Sequence, residues 1–343
     1  MYAFPGGLSP RAHEILTYIR VTLRRNDEIL KNAPKGKVHL FSLQSAWMVF
    51  TPTICKRCYN SISEPHYGGD VKVRKEFSPM GEGKEEWIMP YDAVLPSGGR
   101  ITGAFEQKAG VSLKALIPHE RGTVLEHIIA VLRETNRVGR IVVVGPENLS
   151  GSPSVKGADF VLPEGESGAE NCLIGLKWLA KSDTSPKALI VTTDLPFLSC
   201  EAVNAFLDAC PQDGDICIPI LTKEELESRF PGSENTYVPL KDGFWTMGGV
   251  YLVNPGALLG RGKRLEDVFA ARKSQFRMAC LLGPKFILRF LTKRLTVADI
   301  ESKCGDLFRC CGYAIRNSPP ELAFDMDELK EYEYYLRWSG FGK

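Results

Sequence analysis

Between Tyr91 and Gly103 the chain reads YDAVLPSGGRITG, where an apolar run, Ala93-Val94-Leu95, empties into Ser97-Gly98-Gly99-Arg100. Glycines at a strand end let backbone N–H groups approach an anion closely, and a neighbouring guanidinium adds positive charge. Arg100, set in such a loop, is a candidate phosphate ligand. Two common phosphate loops do not fit. The P-loop spacing GxxxxGK[ST] is met by Gly98 and Gly103, but its lysine and hydroxyl positions hold Ala104 and Phe105. The dinucleotide fingerprint GxGxxG needs glycine where Arg100 stands, and the acid expected after the second strand is missing, since RIVVVGPEN ends in Gly145-Pro146.

The elements that must position such a loop alternate in the α/β manner. RIVVVG (140–145), DFVLP (159–163), ALIVTTD (188–194) and DICIPIL (215–221) read as strands apolar on consecutive positions, hence buried on both faces of a largely parallel sheet. Capping boxes at Thr123-Val-Leu-Glu126 and Ser167-Gly-Ala-Glu170 open helices, and CEAVNAFLDAC reads as a helix stopped by Pro211. Right-handed crossovers make this a Rossmann-like, doubly wound, mostly parallel sheet. After Leu221 the rhythm changes. TYVPLKDGFWTMGGVYLVNP reads as a hairpin turning at Lys241-Asp242-Gly243, and amphipathic helices follow in RLEDVFAARKSQFRMACLL, KFILRFLTKRL and TVADIESKC. ELAFDMDELKEYEYYLRW reads as a short strand entering a terminal helix.

Taken together, LPSGGRITGAFEQKAGVSLKALIPHERGTVLEHII, EGESGAENCLIGLKWL, VTTDLPFLS, TMGGVYLVNP and LAFDMDELKEY resemble, in chain order, the nucleotidyltransferases of the MobA-like and sugar-1-phosphate type. The resemblance covers about Pro90 to Trp338. It implies a GT-A-like nucleotide-diphospho-sugar transferase fold and a Mg²⁺-dependent enzyme. Such an enzyme transfers a nucleoside monophosphate from a nucleoside triphosphate to a phosphorylated small molecule, with release of pyrophosphate. By this likeness Leu95, Pro96, Ser97, Gly98, Gly99 and Arg100 cradle the nucleotide, Lys114 joins Arg100 on its phosphates, and Ser167 and Asn171 belong to the segment that reaches the base. Asp194, in the family's DxP step, is the expected Mg²⁺ ligand on the α-phosphate; Asp325 is the second, and Asp327 caps the last helix. Arg100, Lys114 and Asp194 are then the catalytic set. The chain departs from the pattern where the family's later arginine falls, around Ile101–Gly103, and its longer loop before Lys114 lets Lys108 compete for the lysine role. The same fold serves glycosyltransferases that use a nucleotide sugar through a DxD motif, but TTDLP supplies one carboxylate only. A non-catalytic nucleotide-binding relative is the other alternative.

Read from the residues alone, Asp194 could simply cap the helix after DLPFLS, Asp325 and Asp327 could be first-turn acids, and His119 and His127 are packing residues. Without a serine, cysteine and histidine set for a triad, covalent catalysis is not expected.

Composition sets the outer bounds. At 343 residues, 44% hydrophobic, 24% charged and a net charge of +2, the chain gives no reason to invoke nucleic acid. No apolar run is long enough to span a membrane. Cys172, Cys200, Cys210, Cys217 and Cys280 stand singly in apolar patterns, as expected of free thiols in a reducing cytoplasm. The basic stretch from Lys263 to Arg294 reads as a solvated helix face, with a clamp for an anionic acceptor or a contact with acidic lipid as the alternatives.

Residues 1–88 form a poorly patterned extension, and residues 89–343 the nucleotidyltransferase domain, whose acceptor-side hairpin and helical insertion run from about 222 to 305. The extension holds a CxxC at Cys55 and Cys58 with His66 nearby, one ligand short of a tetrahedral zinc site. Met89 directly precedes the first core strand, and GEGKEEWI before it has the purine-rich coding of a translated ribosome-binding site. One expectation is therefore a native start at Met89 with the extension as upstream frame; the other is that the extension is native.

Overall fold

In the computed structural model of the protein, residues 91–181, 185–260 and 283–340 are described. The zinc reading at Cys55 and Cys58, the start at Met89 and the helix expected after Lys263 all lie outside the described residues.

β1 (Tyr91–Pro96) comes first, followed by a small ribbon of β2 (Pro118–His119) and β3 (Gly122–Thr123). Then come β4 (Val138–Gly145), β5 (Phe160–Pro163), β6 (Ala188–Val191), β7 (Ile216–Thr222), β8 (Val238–Leu240), β9 (Gly243–Met247), β10 (Val250–Val253) and β11 (Gly312–Ile315). The main sheet has the order β5-β4-β1-β6-β10-β7-β9-β8, with β11 also paired to β7. β5, β4, β1 and β6 are mutually parallel, whereas β10 runs antiparallel between β6 and β7. The expected doubly wound half is therefore present, extended by a mixed half.

The helices are α1 (Gly103–Ala109), α2 (Val124–Glu134), α3 (Gly168–Leu179), α4 (Cys200–Ala209), α5 (Lys223–Arg229), α6 (Pro255–Leu259), α7 (Pro284–Leu291), α8 (Val297–Phe308) and α9 (Leu329–Ser339). Strand side chains alternate between faces, so β1 feeds two cores. Ala93 and Leu95 pack with Leu125 and Ile128 of α2, Phe206 of α4 and Tyr335 of α9. Val94 packs on the other face with Leu176 of α3 and Ile300 of α8. The chain thus leaves β1 toward one face and β5 toward the other, which sets a topological switch point between β1 and β6. Ligands of open α/β sheets bind there, beyond the carboxyl ends of the strands.

Several local expectations are corrected. The stretch before Lys114 is helical (α1), closed by Gly110 at φ 72°. At Ser167 only half of the capping box forms: its side chain accepts from the Glu170 N–H, while the Glu170 carboxylate accepts from the Glu166 N–H at 2.7 Å. β9 and β10 do not pair with each other. Both lie along β7, where Ile220 faces Met247 and Cys217 faces Leu252, so the β9–β10 side carries two extra residues. Gly248 and Gly249 form this bulge. Before α9 there is no strand; the chain makes a short 3-10 turn at Pro320–Leu322 and then runs on without regular secondary structure.

The bulge requires both glycines. A Cβ on Gly248 would lie 2.5 Å from the Leu322 carbonyl oxygen, and one on Gly249 2.1 Å from Thr192 Oγ1. The Gly249 N–H donates to Leu322 O at 2.7 Å, and the Thr192 N–H to Gly249 O at 2.9 Å. The segment leading to Asp325 is in this way laid directly over the end of β6, where Asp194 begins its loop.

Candidate active site

The glycine loop leaves β1 at the switch point. Its exit is fixed by a miniature antiparallel ladder, in which Ile101 N–H donates to Ser112 O at 2.9 Å and Lys114 N–H to Gly99 O at 3.0 Å. Buried Ile101 and Leu113 anchor that ladder from below. It brings the stem of Lys114 against Gly99, where a Cβ would stand 3.4 Å from the lysine Cδ.

From there Lys114 Nζ reaches Asp194 Oδ2 at 3.4 Å and pairs with Asp327 Oδ1. Both partners of the first pair are largely buried, with side chains 15% and 16% exposed. Burial alone pulls the lysine pKa down, but the charges of Asp194, Asp327 and Asp325 outweigh it and hold the amine firmly protonated. Asp325 is pushed well above the usual carboxylate range, first by burial and then by the like charges of Asp327 and Asp194. Asp194 Oδ1 is buried without a hydrogen-bond partner. The two acid-bearing segments are joined through the main chain, the Met326 N–H donating to Asp194 O at 3.0 Å.

Asp325 and Asp327 flank Met326, which is fully buried. The charges of Asp327 and Asp194 both act on Asp325, so the acids on either side of the Met326 anchor lie within electrostatic reach of one another. Asp327 does not cap the last helix. The N-cap is Glu328, whose N–H donates to the Glu331 carboxylate at 2.6 Å. Nor does Asp194 cap α4, because Ser199 does so by accepting from the Ala202 N–H at 3.1 Å. Of the two candidate lysines, Lys114 joins this cluster, whereas Lys108 pairs with Glu333 at 2.5 Å on α9.

The other expected residues divide by role. Arg100 is not joined to the acidic cluster. Its Nη2 donates to Glu164 Oε1 and its Nη1 to Gly98 O, both at 2.5 Å. Ser97 is buried, its hydroxyl donating to Leu95 O at 3.2 Å, and Pro96 O accepts from Thr193 Oγ1 at 3.2 Å. Asn171, 2% exposed, accepts from the Gly165 N–H at 2.7 Å and so shapes the turn ahead of α3. Gly98 lies against this turn, since a Cβ there would stand 2.3 Å from Glu164 Oε2 and 2.7 Å from Asn171 Nδ2.

Three contributors escaped the sequence reading. Glu164 carried no signal beyond its place after a strand. His119 and His127 are more than packing: their rings stack at 4.1 Å, and their Nε2 atoms bond the Pro196 and Leu198 carbonyls at 3.0 and 2.9 Å. They clamp the loop that carries Asp194. Both rings are depressed below the usual histidine pKa, chiefly by burial, His127 to about 4. Their spacing on either side of the Thr123 cap is the only trace in the sequence.

Comparisons with known proteins bear on the family and the fold. The profile of the MobA-like NTP transferase domain matches residues 107–279. Among solved structures, a hypothetical transferase from Thermus thermophilus is 28% identical, covers 71% of this chain and 99% of its own, and superposes with a TM-score of 0.61. A nucleotidyl transferase from a Methanothermobacter species is 15% identical over 74% of this chain and 99% of its own, with a TM-score of 0.45. A 2-C-methyl-D-erythritol 4-phosphate cytidylyltransferase, also from Thermus thermophilus, is 16% identical over 72% and 100%, with a TM-score of 0.39. No curated protein sequence matches the chain. The profile spans half of the chain, and it takes in Lys114 and Asp194: the protein belongs to the MobA-like NTP transferase domain family and is a nucleotidyltransferase.

Proposed function

We propose that the protein transfers a nucleoside monophosphate from a nucleoside triphosphate to a phosphorylated small-molecule acceptor. An acceptor phosphate or phosphonate oxygen attacks the α-phosphorus in line, the bond to the β-phosphate oxygen breaks, and pyrophosphate leaves. Little covalent work falls to the protein; it must position the two reactants and stabilise charge. The observation that carries this reading is the bridging of Lys114 Nζ between Asp194 and Asp327 at the end of the glycine loop. A lysine locked in its charged form there stabilises the oxygens of the α-phosphate as negative charge builds.

Asp194 and Asp325 fit a hard divalent cation. The orphaned Asp194 Oδ1 is an unused oxygen ligand, and the raised Asp325 is a carboxylate in need of positive charge. Among the described residues no cluster of three or more ligating side chains forms, so phosphate and water would complete the shell. Bound there, Mg²⁺ would neutralise charge on the α-phosphate.

On this reading, residues from about 222 to 305 form the acceptor side. Within it, Tyr251 on β10 is in electrostatic reach of the acids: after burial and the Cys172 thiol, the charges of Asp194, Asp325 and Asp327 hold its hydroxyl above the usual phenol value. We further place the enzyme in the cytoplasm, where the free thiols of the described cysteines stay reduced. No described helix is long and apolar enough to cross a membrane.

The test is pyrophosphate release on incubating the protein with each nucleoside triphosphate, Mg²⁺ and a panel of phosphorylated acceptors. Asp194→Ala should abolish release while the far-ultraviolet spectrum stays that of the wild type. Full activity in that variant would sink the metal assignment, and release of a nucleoside diphosphate from a nucleotide sugar instead would indicate a glycosyltransferase.

A further inference from the structure

The two glycines of the loop face different chemistry. Gly99 meets the stem of Lys114, and through it the acidic cluster; Gly98 meets Glu164 and Asn171. A nucleotide laid along this loop has its triphosphate at the Lys114 end. At the Gly98 end stands Glu164, whose carboxylate already occupies the Arg100 guanidinium and offers only acceptor oxygens, so the base belongs there.

Glu164 is held ready for such a contact. Its backbone N–H donates to Gly145 O at 2.9 Å, pinning it to the carboxyl end of β4. Arg100 Nη2 donates to Oε1 at 2.5 Å and Nη1 to Oε2 at 3.3 Å, a forked pair that sets the plane of the carboxylate. A carboxylate has about four lone-pair sites, so each oxygen retains acceptor capacity after the guanidinium has bound. The side chain is 23% exposed, open to a ligand on that side.

We propose that Glu164, oriented by Arg100, reads guanine and makes the protein a GTP-using enzyme. This inference rests on the nucleotidyltransferase reading above. Two adjacent acceptor oxygens need two adjacent donors. Guanine offers them, N1–H beside the N2 amine. The pairing edges of adenine, cytosine and uracil each place an acceptor next to their single donor group. Arg100 becomes a positioning residue for the carboxylate, which accounts for its distance from the acids. A bidentate pair of this kind discriminates between bases by roughly tenfold to a hundredfold.

The test is equilibrium binding of GTP, ITP, XTP, ATP, CTP and UTP to the full chain in Mg²⁺ buffer by calorimetry. GTP should bind at least about tenfold more tightly than ATP, CTP, UTP and ITP, the last of which lacks only the N2 amine. Glu164→Gln replaces one acceptor by a donor, so it should lose GTP and gain XTP, whose C2 carbonyl replaces the amine. A gain cannot arise from misfolding. Arg100→Ala should narrow the GTP preference without inverting it. Equal affinity for all bases, or a Glu164→Gln variant that weakens every triphosphate alike as a ribose contact would, overturns the guanine assignment alone. Absence of binding by any triphosphate overturns the nucleotidyltransferase reading and this inference with it.

Discussion

The backbone N–H of Met326 donates to the carbonyl oxygen of Asp194 at 3.0 Å. Two acids far apart in the chain are thus held together by main chain rather than by their own charges. The like charges of Asp194, Asp325 and Asp327 then meet at a fixed distance, and Lys114 is the counter-charge that the fold provides.

Lys114→Met should cut turnover on the order of a hundredfold or more, the scale for loss of one group that stabilises transition-state charge. It should also destabilise the protein by about 3 kcal/mol, because one partner of a largely buried ion pair is removed. Added Mg²⁺ should recover part of that stability. Urea midpoints with and without Mg²⁺ measure the effect, and an insensitive variant would disprove the counter-charge role.

Lys108→Ala should leave turnover unchanged. Its partner Glu333 is an exposed residue of α9, and the pair sits apart from the acids. Steady-state rates for the two lysine variants, measured side by side, decide which lysine serves the reaction.

Gly248→Ala should cost about 1–3 kcal/mol by overpacking. The atom it would strike, Leu322 O at 2.5 Å, is main chain and cannot rotate away. Because Leu322 leads to Asp325, activity should fall further than stability does. Thermal melts and pyrophosphate release together test this; a stable, fully active variant would contradict the bulge as the support of the second acid.

His127 gives the protein an acid-sensitive element. Burial and the neighbouring His119 hold its pKa at about 4, against an ordinary 6.5, and its Nδ1 is buried without a partner. Between those values the unfolded chain binds more protons than the folded one, so stability should fall as pH drops from 6.5 toward 4. The shift corresponds to about 3 kcal/mol at its fullest. Glu331, raised to about 7 by burial, works in the opposite sense over much of that range. His127→Gln keeps a donor for Leu198 O and leaves Glu331 in place, so the difference between the two pH profiles isolates the histidine. Parallel profiles would refute the assignment.

Much of this molecule is legible in its sequence because its determinants are local. Consecutive apolar runs give buried strands, and the Thr123 box caps α2 with the Glu126 carboxylate accepting from the Thr123 N–H at 2.7 Å. The glycine loop, Lys114 and Asp194 each follow a strand or precede a cap, so chain order alone located them. What residue order could not show was decided by distant parts of the chain meeting. Arg100 was drawn to Glu164 across 64 residues, Asp327 to Lys114 across 213, and both histidines to the carbonyls after Asp194. Charge pairing and carbonyl capture depend on distance in space, and that distance is set by packing. The insertion of β10 between β6 and β7 and the glycine bulge that carries Leu322 over Thr192 are what bring those groups into range.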